Sequence, residues 1–123
     1  MRIEPEQPWA RLQADVDCGL RRGGWYRVLT QEGLDVSVSA GMAELTVPRA
    51  VLEIRQTPPR EWTVVSRPPN SPRVPEAMRD GYLVCPGCRH RAPLPPRWSA
   101  ARLRCTQCHE MADIAWDEAY LAA

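Results

Sequence analysis

The middle of the chain alternates between apolar and polar residues with a period of two. Residues 34–40 alternate cleanly, and residues 43–47 do so again after Gly41. A period of two places successive side chains on opposite faces, which is typical of half-buried β-strands. Such segments occupy residues 25–30, 34–40, 43–47, 51–56 and 62–66. Five short strands with turn residues between them predict a small antiparallel barrel or rolled sheet.

The core predicted for this sheet is small. It consists of the apolar positions Trp25, Leu34, Val36, Val38, Leu45, Val47, Leu52, Ile54, Trp62 and Val64. A domain of ~60 residues buries too little surface to be more than marginally stable. We therefore expect this sheet to pack against another part of the chain or against a partner.

Two segments at the ends of the chain predict helices. Pro8 suits the first helical position, and Trp9, Leu12, Val16 and Leu20 follow at near-helical spacing. Residues 116–123 predict a short closing helix. The expected fold class is therefore a small β-rich α+β protein with an N-terminal helix.

Proline divides the chain. Of the 123 residues 13 are Pro, about twice the usual ~5%, and four of them lie in residues 67–80. Such a segment favours an extended, semi-rigid spacer. The predicted organisation is a helix plus small β domain over 1–66, a Pro-rich linker over 67–80, and a third unit over 81–123. The linker is expected to limit cooperation between the two halves.

Four cysteines dominate the third unit. Cys85 and Cys88 form one C-x-x-C pair, Cys105 and Cys108 form another, and sixteen residues separate the pairs. Each pair directs two sulfurs to one point, and two pairs supply the four thiolates of a closed tetrahedral site. The spacing matches that of zinc sites. The sequence therefore predicts a structural Zn²⁺ bound by these four residues.

Other uses of the four cysteines remain open. Two disulfides require an oxidising compartment, and residues 1–8 carry no apolar segment of a signal peptide. A redox pair requires a single C-x-x-C in a βαβ setting. An iron site uses the same four sulfurs, so iron competes directly with zinc. We expect the reduced, metal-bound form in a cytoplasmic protein.

The residues around the pairs predict four short strands, at 82–84, 91–94, 102–104 and 111–114. Together with Cys85-Pro86-x-Cys88 and Leu103-Arg104-Cys105-x-x-Cys108, residues 81–115 resemble the two-knuckle zinc-ribbon family. That resemblance implies metal-dependent folding and a docking surface, and it implies no particular activity. Members often have Gly directly after a knuckle, whereas this chain has Arg89 and His109. The N-terminal part resembles no family that we recognise.

The third unit is locally basic. Residues 71–109 hold seven Arg against Glu76 and Asp80, although the whole chain has a formal net charge of +1. The candidate anion-binding residues are Arg91, Arg97, Arg102 and Arg104. These arginines either face phosphate groups of a nucleic acid or offset the formal charge of −2 that a zinc tetrathiolate carries. The near-neutral total and the acidic residues from 110 to 118 favour the second explanation.

The sequence contains no nucleophile paired with a base, no phosphate-binding loop and no dinucleotide-binding motif. We therefore predict a protein without enzymatic activity. The first hypothesis is an accessory protein that docks onto a larger protein assembly. The alternatives are a nucleic-acid-binding protein of the transcription or translation machinery and a rubredoxin-like iron electron carrier. No apolar run approaches the ~20 residues of a membrane span.

Overall fold

The computed structural model describes residues 8–14, 16, 18–66, 78, 81–96, 100–118 and 120. These residues form ten β-strands and one short 3-10 turn at Arg49–Val51. The strands are β1 (Trp9–Leu12), β2 (Tyr26–Glu32), β3 (Asp35–Ala40), β4 (Ala43–Pro48), β5 (Leu52–Arg55), β6 (Glu61–Ser66), β7 (Gly81–Val84), β8 (Arg91–Pro93), β9 (Arg102–Arg104) and β10 (Met111–Ile114). They make two five-stranded sheets. The described part of the chain is all-β, so the predicted α+β class is wrong.

The first sheet is antiparallel and curls into a half-barrel. Its strand order is β4-β3-β2-β1-β5, so β4 and β5 lie at opposite edges although only Arg49–Val51 joins them. A flat five-stranded sheet would hold its edge strands ~19 Å apart, whereas this connection spans at most ~14 Å. The sheet must therefore curl, which agrees with the predicted rolled sheet.

The predicted N-terminal helix is wrong, because residues Trp9–Leu12 form strand β1 in the middle of the first sheet. This strand pairs with β2 on one side and β5 on the other. Ala10 and Leu12 point into the core, while Arg11 between them is also buried, at 3% exposure. A strand covered on both faces shows no alternation. Val16, a position of the apparent helical pattern, is exposed.

The second sheet has the order β8-β7-β6-β10-β9. Strands β6 and β10 run parallel, and the other neighbours are antiparallel. The strand positions predicted around the cysteines are confirmed as β7, β8, β9 and β10. Strand β6, however, was expected in the first sheet and lies at the centre of the second. Strand β1 takes the fifth place in the first sheet instead.

The two faces of the second sheet serve different cores. On one face Trp62, Val64 and Leu83 pack with Cys85 and Cys105. On the other face Val65, Tyr82 and Val84 pack with Tyr120 and Met78. This second face lies against the loop that precedes β2, as a single close approach illustrates. At Gly23, where φ is +86°, an added Cβ would lie 2.8 Å from Val65 and 2.9 Å from Val84.

The side chain of Arg11 joins the two sheets. Its guanidinium donates to Thr63 of β6 (3.0 Å), to Glu118 (2.7 Å) and to Glu53 of β5 (2.7 Å). It also lies 4.5 Å from the ring centroid of Trp25 and 4.2 Å from that of Tyr120. The two halves therefore share a buried polar contact as well as an apolar one.

Two further sequence predictions differ from the structure, at Leu34 and near the C-terminal end. Leu34 was predicted to be buried, but it lies in the turn before β3 and is 84% exposed. The segment from Trp116 to Glu118, where the closing helix was predicted to begin, forms a turn, and residues 119 and 121–123 of that prediction lie outside the described residues. Within the described ranges, no helix has the length and apolar character that crossing a membrane requires. Most of the predicted linker, residues 67–80, lies outside the described residues.

Candidate metal centre

Each cysteine pair lies in the turn of a hairpin, which we name the first knuckle (residues 85–90) and the second knuckle (residues 105–110). In the first knuckle the Cys85 amide donates to the His90 carbonyl (2.9 Å), and the Arg89 amide donates to the Cys85 carbonyl (3.1 Å). The second knuckle repeats both bonds twenty positions later, with distances of 2.8 and 2.9 Å. The two turns thus have the same backbone design.

The fifth residue of each knuckle lies in the left-handed region. Arg89 and His109 each have φ near 65°, a conformation that costs a residue with a Cβ ~1–2 kcal/mol relative to glycine. These are the positions where zinc-ribbon sequences often carry Gly. The knuckles therefore keep the backbone path of a glycine turn although neither residue is glycine.

The hairpins bring the four sulfurs together. The ligand atoms of Cys85, Cys88, Cys105 and Cys108 all lie within 4.8 Å of one another. The Sγ atoms of Cys85 and Cys108 are 3.6 Å apart, as are those of Cys88 and Cys105. A tetrahedron with metal–sulfur bonds of ~2.3 Å has edges of ~3.8 Å, so the cluster fits one metal ion. None of the five cysteines forms a disulfide.

Backbone amides point at the sulfurs. The Gly87 amide donates to Cys85 Sγ (3.3 Å), and the Gln107 amide donates to Cys105 Sγ (3.4 Å). Such bonds stabilise a thiolate and orient it toward a metal. Metal ligands in proteins are commonly supported by such hydrogen bonds, and here both knuckles supply one.

The pKa values of Cys85, Cys88 and Cys105 are shifted in different directions. Burial raises the pKa of Cys85 and of Cys88, although backbone amides oppose this in each case. Burial also raises the pKa of Cys105, but amide hydrogen bonds from Cys108 and Gln107 and the neighbouring thiols outweigh it and lower that pKa to about 7. Of these three thiols Cys105 therefore ionises most readily, and metal binding would displace protons from Cys85 and Cys88.

Apolar side chains enclose the cluster. Cys85 and Cys105 are buried, while Cys88 and Cys108 are partly exposed. Trp62 of β6 is fully buried in the same core, and its indole N–H donates to the Leu103 carbonyl (2.9 Å) between the knuckles. The central strand thus anchors both hairpins. Neither histidine of the chain belongs to the cluster of metal-binding groups in the described residues.

Three of the four candidate anion-binding arginines lie in the described residues, and each contacts a different group. Arg102 pairs with Asp113 on the neighbouring strand (3.1 Å), and both side chains are well exposed. Arg104 donates to the His109 carbonyl (3.2 Å). Arg91 lies on β8 over the ring of Tyr82, with its guanidinium carbon 5.3 Å from the centroid. Arg97 lies outside the described residues.

Two basic residues outside that set lie near Arg91. Arg89 donates to the Trp25 carbonyl (3.2 Å) and stacks on Tyr26, with 4.4 Å between its guanidinium carbon and the ring centroid. Arg21 donates to the Arg89 carbonyl. Arg21 is 68 positions from Arg89 in the chain, so no local pattern could have joined them. The contacts of Arg11 with the second sheet could not be predicted for the same reason, since Arg11 and Thr63 are 52 positions apart.

Comparisons with known proteins give no further help. No protein family, no curated protein and no solved structure matches the chain. The function must be argued from the site itself.

Proposed function

We propose that this chain is a non-catalytic interaction protein whose second sheet is stabilised by a structural Zn²⁺, and that it docks onto a larger protein assembly. One observation carries the proposal, namely four cysteine sulfurs from two hairpins within 4.8 Å of one another. Four protein ligands complete the tetrahedral shell of Zn²⁺ and leave no position for a substrate. Such a site stabilises a fold rather than performing a reaction.

The arrangement around the sulfurs supports a folding role. Strand β6 separates β7 from β10 in the sheet, so the two knuckles extend from strands that are not direct neighbours. A metal ion bound by both knuckles closes this gap and replaces the apolar core that such short hairpins lack. The chemistry requires thiolates, so the proposal also implies a reducing compartment such as the cytoplasm.

Elemental analysis of the purified protein tests the metal. We expect one Zn²⁺ per chain, and we expect Cys88→Ser to reduce the zinc content and lower thermal stability, whereas Cys18→Ser, at the remaining free cysteine, should leave the zinc content unchanged. A red protein containing iron would instead support the electron-carrier hypothesis. Protein free of any metal after preparation without chelators would refute the proposed centre.

The docking role is supported by two apolar side chains that project into solvent. Leu34 precedes β3 and Met42 follows it, and both are almost fully exposed. Affinity purification should recover a specific protein with the native chain and lose it with Leu34→Ser/Met42→Ser. The matched control is Glu32→Ser, an exposed residue on the adjacent strand. Equal recovery with all three proteins would show that these side chains do not carry docking.

A further inference from the structure

A recess of about 450 Å³ lies between the two halves, beside the first knuckle. Its walls include Gly19 from the loop before β2, Gly41 from the turn between β3 and β4, and Cys88 from the knuckle. Its volume falls in the range of small-molecule sites, ~300–1,000 Å³. The recess therefore has the size of a ligand site and is built from segments of both sheets.

Arg21, Arg89 and Arg91 are among the residues that line this recess, and none of the described residues that line it is acidic. None of the three forms an ion pair with an acidic residue in the part of the chain that the structure describes. This concentration of positive charge differs from the rest of the protein, where acids and bases nearly balance. An anion is the ligand that such a lining recognises.

Arg91 has a buried donor atom, its Nε, without a hydrogen-bond partner among the described residues. A buried donor without an acceptor costs ~1–3 kcal/mol, and native proteins contain few of them without a functional or structural reason. An anion in the recess would not reach this Nε, which is closed to solvent, but it would offset the positive charge of the same guanidinium.

The other two guanidiniums are held in place by the protein. Arg89 is fixed by its bond to the Trp25 carbonyl and by the Tyr26 ring. Arg21 is fixed by its bond to the Arg89 carbonyl. Each bond uses one of the five N–H groups of a guanidinium, so both side chains retain donors in a fixed position. Donors that are fixed before binding lose less entropy when a ligand arrives.

We propose that Arg21, Arg89 and Arg91 form a binding site for the phosphate group of a small phosphomonoester. A phosphomonoester carries a charge near −2 and three acceptor oxygens, which suits three guanidiniums better than a carboxylate with one charge does. A nucleic acid needs cations spaced along a groove. Here the arginines converge on one recess, while Arg102 and Arg104 contact other groups.

The test uses the metal-loaded protein and inorganic phosphate, followed by glycerol 3-phosphate, at constant ionic strength. Amide NMR signals of Gly19 and Gly41 should shift and saturate with phosphate and should not respond to chloride. Glycerol 3-phosphate should bind at least as tightly as inorganic phosphate. If the amide signals respond equally to both salts, or if only the free ion binds, the site is not one for phosphomonoesters.

Variants identify the residues. Arg91→Gln should weaken phosphate binding at least tenfold, Arg91→Lys should weaken it less, and Arg21→Gln provides a second change at an exposed position. Arg102→Gln removes the same charge outside the recess and should leave binding unchanged. Zinc content is measured for every variant. Loss of zinc from Arg91→Gln with unaltered phosphate affinity would show that Arg91 only offsets the charge of the metal centre, and equal weakening by Arg102→Gln would show general charge attraction.

Discussion

The buried guanidinium of Arg11 should be one of the main contributions to the stability of the whole protein, and Arg11→Met tests this. The side chain is 3% exposed and bonds to Glu53, Glu118 and Thr63. Met preserves much of the length of the side chain and removes its charge and all of its donors. The substitution therefore removes the polar contact between the sheets without opening a large cavity.

The magnitude follows from the groups that lose their partner. Glu53 and Glu118 each retain 29% exposure and an ion pair with Arg55, so water and Arg55 replace part of the lost bonding and each costs ~1 kcal/mol. The buried Thr63 hydroxyl costs ~1 kcal/mol, and the contacts with the Trp25 and Tyr120 rings add ~0.5–1 kcal/mol each. The favourable burial of Met and the absence of a desolvated charge offset ~1 kcal/mol. We expect a net loss of ~3–4 kcal/mol in the free energy of unfolding.

Urea unfolding followed by tryptophan fluorescence measures this loss, and the melting temperature should fall by ~10 °C. The matched control is Arg27→Met, at an exposed position of β2, which should change stability by less than ~0.5 kcal/mol. A double-mutant cycle with Glu118→Gln isolates the ion pair. Its coupling energy should be ~1–2 kcal/mol, because the two residues belong to one network.

Two results would refute this reasoning. If Arg11→Met were as stable as the native protein, the network would be no better than an apolar contact, as happens with some buried ion pairs. If the effects of Arg11→Met and Glu118→Gln were additive, the two side chains would not interact in solution. Either result would remove the argument that a polar contact joins the sheets.

Three other expectations follow from the structure. His109→Gly should stabilise the protein by ~0.5–1 kcal/mol in thermal unfolding, because glycine adopts the left-handed conformation without strain, although it raises the entropy of the unfolded chain. Arg89→Gly should instead destabilise the protein, since Arg89 also contacts Trp25 and Tyr26. A stabilised Arg89→Gly would contradict this. Burial raises the pKa of Glu118, but Arg11 and Arg55 outweigh it and lower that pKa. The stability difference between the native protein and Glu118→Gln should therefore be constant above about pH 6 and shrink as the pH falls below 4.5. A difference independent of pH would rule out the ion pair. In gel shifts, Arg102→Gln/Arg104→Gln should change nothing, and salt-sensitive binding lost in this variant would support the nucleic-acid alternative.

The parts predicted well from sequence are those that local contacts determine. Each knuckle and its two strands occupy about a dozen consecutive residues, and the C-x-x-C spacing fixes the turn between them. The alternation of residues 34–40 likewise follows from one buried and one exposed face, since Val36 and Val38 are fully buried. In both cases the sequence pattern and the environment have the same period.

The predictions fail where a strand is covered on both faces. The apolar spacing from Trp9 to Leu20 predicted a helix over β1, where the buried polar Arg11 removes the alternation typical of a strand. Strand β6 was placed in the wrong sheet because its alternation does not say which sheet it joins. Both errors have one physical origin. The face of β1 that carries Arg11 meets the face of β6 that carries Thr63, and these two residues lie 52 positions apart in the chain.

The contact between β1 and β6 also changes the expectation for how the two halves unfold. The linker composition predicted limited cooperation between them, whereas Trp62 packs on the cysteine core and its neighbour Thr63 bonds to Arg11 of the first sheet. Because successive residues of β6 face opposite sides, a shift of this strand would disturb both contacts together. Loss of the metal should therefore reach the first sheet through β6 without passing through the proline-rich segment, and the two sheets should melt as one cooperative unit.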